Sequence, residues 1–440
     1  MVVVLGFVRA VPAAAQSSHP AGAAQQSPVV LGDLYAQVLR ANPRVAAARA
    51  LTRAAESRVA GVSRPPDPQL QLGFMNYSLP RLAPMATVGM NQLQLMQMVP
   101  YGGKLSLARR AASARASATA FRAEDVSWDL RSQAAMAFYD LYSTDRGLEV
   151  VRETVRLLRD IAATTEAMYR VGAGRQTDVL RARVEIARMS EDTLRMQAMR
   201  QSMTARLAAL LDGGSNALGT PALPAFPDTI PTRAWLDSVS GTARPMIRGG
   251  VAEVQAADAL ALLARKEILP DLQVGVQYAQ RTGDMGTERM GSLMLGVSLP
   301  VFARSRQFQM REEAGAMKEM AQADLAAMRA ETRGKVGEAY AGLVRARTLA
   351  QLYRTTVLPE AEATVASALA AYRVGSVDFM TLLDDRMTVN KYRQELYVLE
   401  SDQGKAWADL EMLAGIVLFD AHKRGGSVVA ANASTTGAAP

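Results

Sequence analysis

Side chains able to do covalent chemistry are scarce in this chain of 440 residues. It contains no cysteine, which excludes disulfides, thiolate metal sites, cysteine nucleophiles and lipid attachment through cysteine. Its two histidines, His19 and His422, sit in small-residue stretches near the ends and read as solvated tail residues. No Ser/His/Asp set is therefore available. Gly103-Lys104 resembles the end of a phosphate loop, but Met98 stands where the first glycine belongs and Leu105 where Ser or Thr belongs. Carboxylate pairs such as Glu312-Glu313 read as solvated helix surface. Met75, Met85, Met90, Met96 and Met98 lie close together, and thioethers suit a soft ion such as Cu(I). Packing of flexible apolar side chains against lipid or core is the preferred reading of that group. No catalytic residue, cofactor or metal site is expected. The chain reads as architecture, not as an enzyme.

The architecture is a tandem duplication. Tyr169-Arg170-Val171-Gly172 recurs 203 residues later as Tyr372-Arg373-Val374-Gly375, and Leu180 and Arg183 recur as Leu383 and Arg386. Pro68-Gln69-Leu70-Gln71-Leu72 is answered by Pro270-Asp271-Leu272-Gln273-Val274 at 202, and Leu93-Gln94-Leu95 with Pro100 by Leu293-Met294-Leu295 with Pro300 at 200. Three matches in one order at nearly the same spacing define a repeated unit.

Each unit carries helices, two strands and a long helical hairpin. Residues 31–64 read as helix broken at Asn42-Pro43, where a second helix starts with proline in its first turn. Gln69–Tyr77 and Asn91–Val99 alternate, with Leu70, Leu72, Phe74, Leu93 and Leu95 opposed to glutamines. A helix then spans Lys104 to Val171 without proline, about 100 Å at 1.5 Å per residue. Its 4/3 apolar spacing from Leu130 to Tyr169 is a coiled-coil seam. Gly172 and Gly174 break it, and Thr177 or Asp178 can cap a return helix to Leu211. The second unit repeats the plan: helix Met246–Ile268, strands Leu272–Gln280 and Ser292–Leu299, helix Gln307–Val374, and a return helix ending near Leu413. The domain reading is 1–15 signal peptide, 16–30 linker, 31–212 first repeat, 213–244 linker, 245–415 second repeat and 416–440 unstructured tail.

The apolar start leading to Ala13-Ala14-Ala15 looks like the back half of a secretory signal, without a basic n-region. No apolar run reaches the roughly 18 residues of a transmembrane helix, so an exported chain could enter a membrane only as a β-barrel. The net charge of +8 is spread along helices among acidic residues, which reads as solvated helix faces and not as a nucleic-acid surface. Four short strands per chain leave two open edges, which copies of the chain can close. Helices too long for a compact domain can then form the wall of a tube. The fold class is thus mainly α with a small β part: an oligomeric β-barrel continued by an α-helical barrel.

That outline resembles the TolC family of outer-membrane efflux channels over about residues 30–415, and Pro100-Tyr101-Gly102-Gly103-Lys104 is more similar to its heavy-metal subgroup. The residues carrying the resemblance are the two Tyr-Arg-Val-Gly tips, Thr177-Asp178-Val179-Leu180 and Leu382-Leu383-Asp384. It implies a homotrimer in outer-membrane lipid, with a twelve-stranded barrel and a helical tunnel across the periplasm. It also implies a periplasmic adaptor and an inner-membrane pump of the resistance-nodulation-division or a similar type. By the same resemblance, Tyr372 and Asp178 form a gate link, and Asp384 supplies a carboxylate ring at the constriction, suited to cations. Thr381 and Val377 depart from the polar residues of drug-type members, which leaves fewer polar links. Val171, Gly172, Gly174, Val374, Gly375 and Ser376 become the tips that meet the adaptor. Two alternatives stay open: a soluble coiled-coil scaffold, and a channel of the same family that secretes polypeptides.

Overall fold

The computed structural model describes residues 28–419 except 79, 82, 86–88, 173, 214–218 and 284–285. The signal-peptide reading, His19 and His422 fall outside the described residues.

The two repeats appear as matched series of elements. In the first, α1 (Leu31–Ala41) and α2 (Pro43–Val62) lead to β1 (Gln69–Met75), a small ribbon of β2 (Tyr77–Ser78) and β3 (Ala83–Pro84), and β4 (Met90–Val99). The hairpin of α3 (Lys104–Arg170) and α4 (Gln176–Leu210) follows. In the second, α5 (Arg233–Ala243) and α6 (Pro245–Lys266) lead to β5 (Asp271–Gly283) and β6 (Gly286–Ser298), then α7 (Gln307–Leu352), α8 (Leu358–Arg373) and α9 (Phe379–Ala414). Pro43 and Pro245 each open their helix, where a missing N–H costs nothing. The Asn42 side chain caps the first from below by accepting the Arg44 amide.

Three features depart from the sequence expectation. The stretch read as a linker holds α5, capped by Thr232 and anchored by the fully buried Leu236. Strands β5 and β6 run past the apolar alternation because Arg281 and Glu288 pair across them at 2.8 Å, a signal that periodicity does not carry. The helix predicted from Gln307 to Val374 contains a π turn at Tyr353–Val357 just before Pro359, whose ring and missing N–H disturb the regular ladder.

All four main strands join one antiparallel sheet in the order β1-β4-β5-β6. Below it, α3 packs on α2, α6, α4 and α9 along its 67 residues. The main core lies midway down the helices, where Leu34, Val38, Leu130, Phe138, Tyr139, Leu207 and Ala408 meet. A second core holds Trp407, Leu410, Leu343, Leu236 and Phe419. Alanines line much of these contacts, which lets the helix backbones approach closely.

Candidate functional site

The sheet has two unlike faces, fixed by register. Leu70, Leu95, Val276 and Leu293 form one cross-strand row, and Leu72, Leu93 and Tyr278 the next. The other face carries Gln71, Gln94, Gln277 and Ser292 in one row and Gln69, Met96, Gly275 and Met294 in another. Gln277 donates to Gln92 Oε1 at 2.5 Å on this face. On β4 the leucines are exposed while Gln92, Gln94 and Met96 are half-buried. One apolar face backed by one polar face is the pattern of a strand set with lipid on one side and water on the other. Met75, Met90, Met96 and Met98 all fall on the polar face. These four methionines thus lie on the face opposite the leucines, and Met96 and Met294 close over the space that Gly275 leaves. The phosphate-loop resemblance of Gly103-Lys104 also fails. Lys104 is buried, donating to the Leu269 carbonyl at 2.9 Å and to Asp271 at 2.8 Å.

At the far end of the helices the two hairpin tips lie side by side. α3 is capped at its C-terminus by Val171, and Gly172 turns the chain with φ +78°; α8 is capped by Val374, and Gly375 turns it with φ +72°. The amides of Gly172 and Gly375 bond to the carbonyls of Tyr169 and Tyr372 in the same way, each at 3.0 Å. Both glycines face open space, and Val171 and Val374 are 78% and 79% exposed. Gly174 bonds to the Met168 carbonyl at 3.1 Å, and Ser376 to that of Ala371 at 3.0 Å. Val171 and Val374 thus leave two exposed apolar side chains at this end of the helices.

The residues expected at the gate are placed close by. The Tyr372 hydroxyl donates to Met168 Sδ at 3.8 Å, and its ring packs on Phe379. No Tyr372–Asp178 bond forms among the described residues. Asp178 is half-buried in the first turn of α4, where an acidic side chain suits the helix dipole, but neither it nor Thr177 caps that helix. Asp384 is exposed on α9, with no ion pair among the described residues. Phe379, Leu382 and Leu383 are buried, and Phe379 and Leu383 lock against Val155, Leu158, Ala182 and Met189, which sets the direction in which α9 presents Asp384.

A charged cap at this end was missed in the sequence. Asp378 accepts hydrogen bonds from the Thr381 hydroxyl at 2.6 Å and from its amide at 3.0 Å. These bonds, helped by Arg175 and Arg181 of the other tip, hold its carboxyl below the ordinary range. An aspartate just before an apolar helical run was the available signal. Higher up, Arg393 bridges Glu362 at 2.7 Å and Glu153 at 3.4 Å, joining α8, α9 and α3. Glu400 accepts from Tyr142 at 2.7 Å and Arg354 at 2.6 Å, which ties the π turn to α3 and α9. Among the described residues no group of three His, Cys, Asp or Glu could hold a metal ion.

The outer membrane efflux protein family matches residues 34–213 and 242–416, one block per repeat. The cobalt-zinc-cadmium resistance protein CzcC of Cupriavidus metallidurans is 27% identical over 307 residues, 67% of this chain and 70% of that protein. Among solved structures, CusC, described as forming a transmembrane channel, superposes with a TM-score of 0.75 at 17% identity, covering 89% of this chain and 93% of that one. The outer membrane protein VceC from Vibrio cholerae gives 0.74 at 17% identity, over 88% and 96%.

Proposed function

This chain belongs to the outer membrane efflux protein family and is an efflux channel of the outer membrane, and we propose that three copies of it enclose one pore through which small molecules or metal ions leave the cell. The observation that carries this reading is the sheet. Its apolar face suits lipid, its glutamine face suits a water-filled passage, and its two open edges call for neighbours. The helices continue the passage through the periplasm, and the bare tips at Val171-Gly172 and Val374-Gly375 meet the adaptor that delivers cargo from the inner-membrane pump. Tyr372, Asp178 and Asp384 form the constriction at that end. No side chain is asked to do chemistry, so transport is passive and driven by the pump.

Heavy-metal ions are the cargo class proposed first, since the curated relative is named for cobalt, zinc and cadmium resistance. A soluble scaffold would leave the apolar sheet face wet with no use for it. A strain lacking this chain should become sensitive to those metals, and should regain resistance when the chain is supplied. Unchanged metal tolerance with new sensitivity to drugs or detergents would overturn the metal assignment. A purified protein that is a detergent-free dimer would overturn the channel.

A further inference from the structure

We propose that the connection between β6 and α7 is a docking site for anionic phospholipid: Val301 and Phe302 enter the acyl region of the leaflet on the helix side, and Arg304 and Arg306 hold headgroup phosphates. This inference rests on the channel reading and names the lipid chemistry taken up where sheet meets helices.

The site grows from one margin of the sheet. β1 and β5 begin just after α2 and α6, and β4 and β6 end just before α3 and α7, so all four strands have an end on the side of the helices. The apolar face reaches that margin, where Val99, Leu272 and Val297 form a row and all are exposed. In the first repeat the passage from strand to helix takes four residues, 100–103, and leads into the buried Lys104. In the second repeat it takes eight, 299–306, and includes Val301 and Phe302. At 80%, Val301 is the most exposed large apolar side chain among the described residues, and Phe302 reaches 74%.

That exposure is built into the backbone. The amides of Ser305 and Arg306 both bond to the Phe302 carbonyl at 3.1 Å, and the Ala303 amide bonds to the Pro300 carbonyl at 3.2 Å. The Phe308 amide bonds to the Ala303 carbonyl at 2.9 Å. Tucking the two side chains inward would break these bonds, so the turn holds them out. They extend the same apolar face that the channel reading gives to lipid.

Charge identifies the kind of lipid. Arg304 and Arg306 follow Phe302 closely, are exposed and form no ion pair among the described residues. The same holds for Arg64, Arg265 and Lys266, near the ends of the two helices that enter the sheet. Of the carboxylates at this margin, Glu267 and Asp271 are taken by Lys104, whereas Asp67 is exposed. Glu312 and Glu313 come only in the second turn of α7. The margin is therefore cationic beside an apolar knob. Acyl chains covering the knob bring phosphates level with the guanidinium groups, whose paired donors match phosphate oxygens.

Because the chain has no cysteine, Val301→Cys can carry a single NBD fluorophore. The labelled protein is folded into phosphatidylcholine vesicles containing a minor fraction of nitroxide-labelled phosphatidylglycerol or, separately, of nitroxide-labelled phosphatidylcholine. Both lipids should quench the fluorophore, and phosphatidylglycerol should do so at the lower fraction. Arg304→Gln with Arg306→Gln should erase the difference, each lost arginine lowering the relative association of the anionic lipid about fivefold. Should that variant fail to insert, molar salt applied to the protein with both arginines should erase the preference by screening. An inserted protein whose fluorophore neither lipid quenches has Val301 in water or under a neighbouring copy, which overturns the inference. Equal quenching by the two lipids at low salt, or a preference that survives in the double variant, overturns it as well. A protein that enters neither kind of vesicle overturns the channel reading itself.

Discussion

Gly404 lies so close to Tyr139 that a methyl group on its α-carbon would collide with the phenol ring. Both residues are buried in the heart of the helical region, where α9 crosses α3, and Ser401 donates to the Tyr139 carbonyl at 2.9 Å in the same contact. Gly404→Ala gains up to about 1 kcal/mol of helix propensity. It also overpacks the contact at a cost of about 1–3 kcal/mol. The collision is with a ring that cannot move away, so the loss should win, and thermal denaturation followed by helical circular dichroism should show a lower midpoint. The Tyr139 hydroxyl has no hydrogen-bond partner among the described residues. Tyr139→Phe should consequently be neutral or stabilising, and a clear loss there would contradict this account of the contact.

The two faces of the sheet should respond oppositely to the same charge. Leu95→Arg puts a guanidinium on the apolar face, which costs about 2–4 kcal/mol near the middle of a bilayer. Gln94→Arg puts it on the glutamine face, where water can solvate it. Folding into phospholipid vesicles, read by heat-modifiable gel mobility, should fall for the first variant and hold for the second. Equal behaviour would mean that the faces are assigned the wrong way round.

Asp384 should set ion selectivity if copies of it ring the constriction. Asp384→Ala removes every carboxylate of that ring at once. In planar bilayers under a salt gradient, the reversal potential should then shift towards that of a less cation-selective pore. A reversal potential identical to wild type would place Asp384 away from the passage.

The cap at Asp378 makes a pH-dependent contribution whose sign is fixed. Its folded-state pKa lies below the ordinary carboxylate value, so its stabilisation is complete above that ordinary value. It is lost as pH falls through the lowered folded-state value. Hydrogen exchange at the Thr381 and Leu382 amides should therefore report an opening equilibrium that grows in acid beyond the intrinsic pH dependence. Asp378→Asn keeps a capping oxygen without the charge and should flatten that trend.

Much of the molecule was legible in the sequence because its signals are periodic. The seam from Leu130 to Tyr169 gave α3, and the leucine–glutamine alternation gave β1 and β4 with their faces. The repeated Tyr-Arg-Val-Gly located both tips, whose glycines do occupy positive φ. What escaped depends on contacts across the chain. The extension of β5 and β6 rests on an Arg281–Glu288 pair. Helix α5 holds by burial of Leu236 under α7 and α9. Lys104, read only as the end of a poor phosphate loop, is the hinge pin between sheet and helices, a role visible only once Leu269 and Asp271 are brought beside it. The partner of Tyr372 within the chain is Met168, a thioether that no spacing rule would pair with a phenol.

A solitary subunit has nowhere to keep the outer flank of its ribbon dry. Leu70, Leu72, Leu293 and Leu295 stand open to solvent, and no other described residue of the chain folds over them. On the proposed trimeric reading, entry into the bilayer and recruitment of sister molecules would be one concerted event. Unassembled protein should be a short-lived, chaperone-dependent species, and its abundance in the cell should be governed by quality control more than by the rate of synthesis.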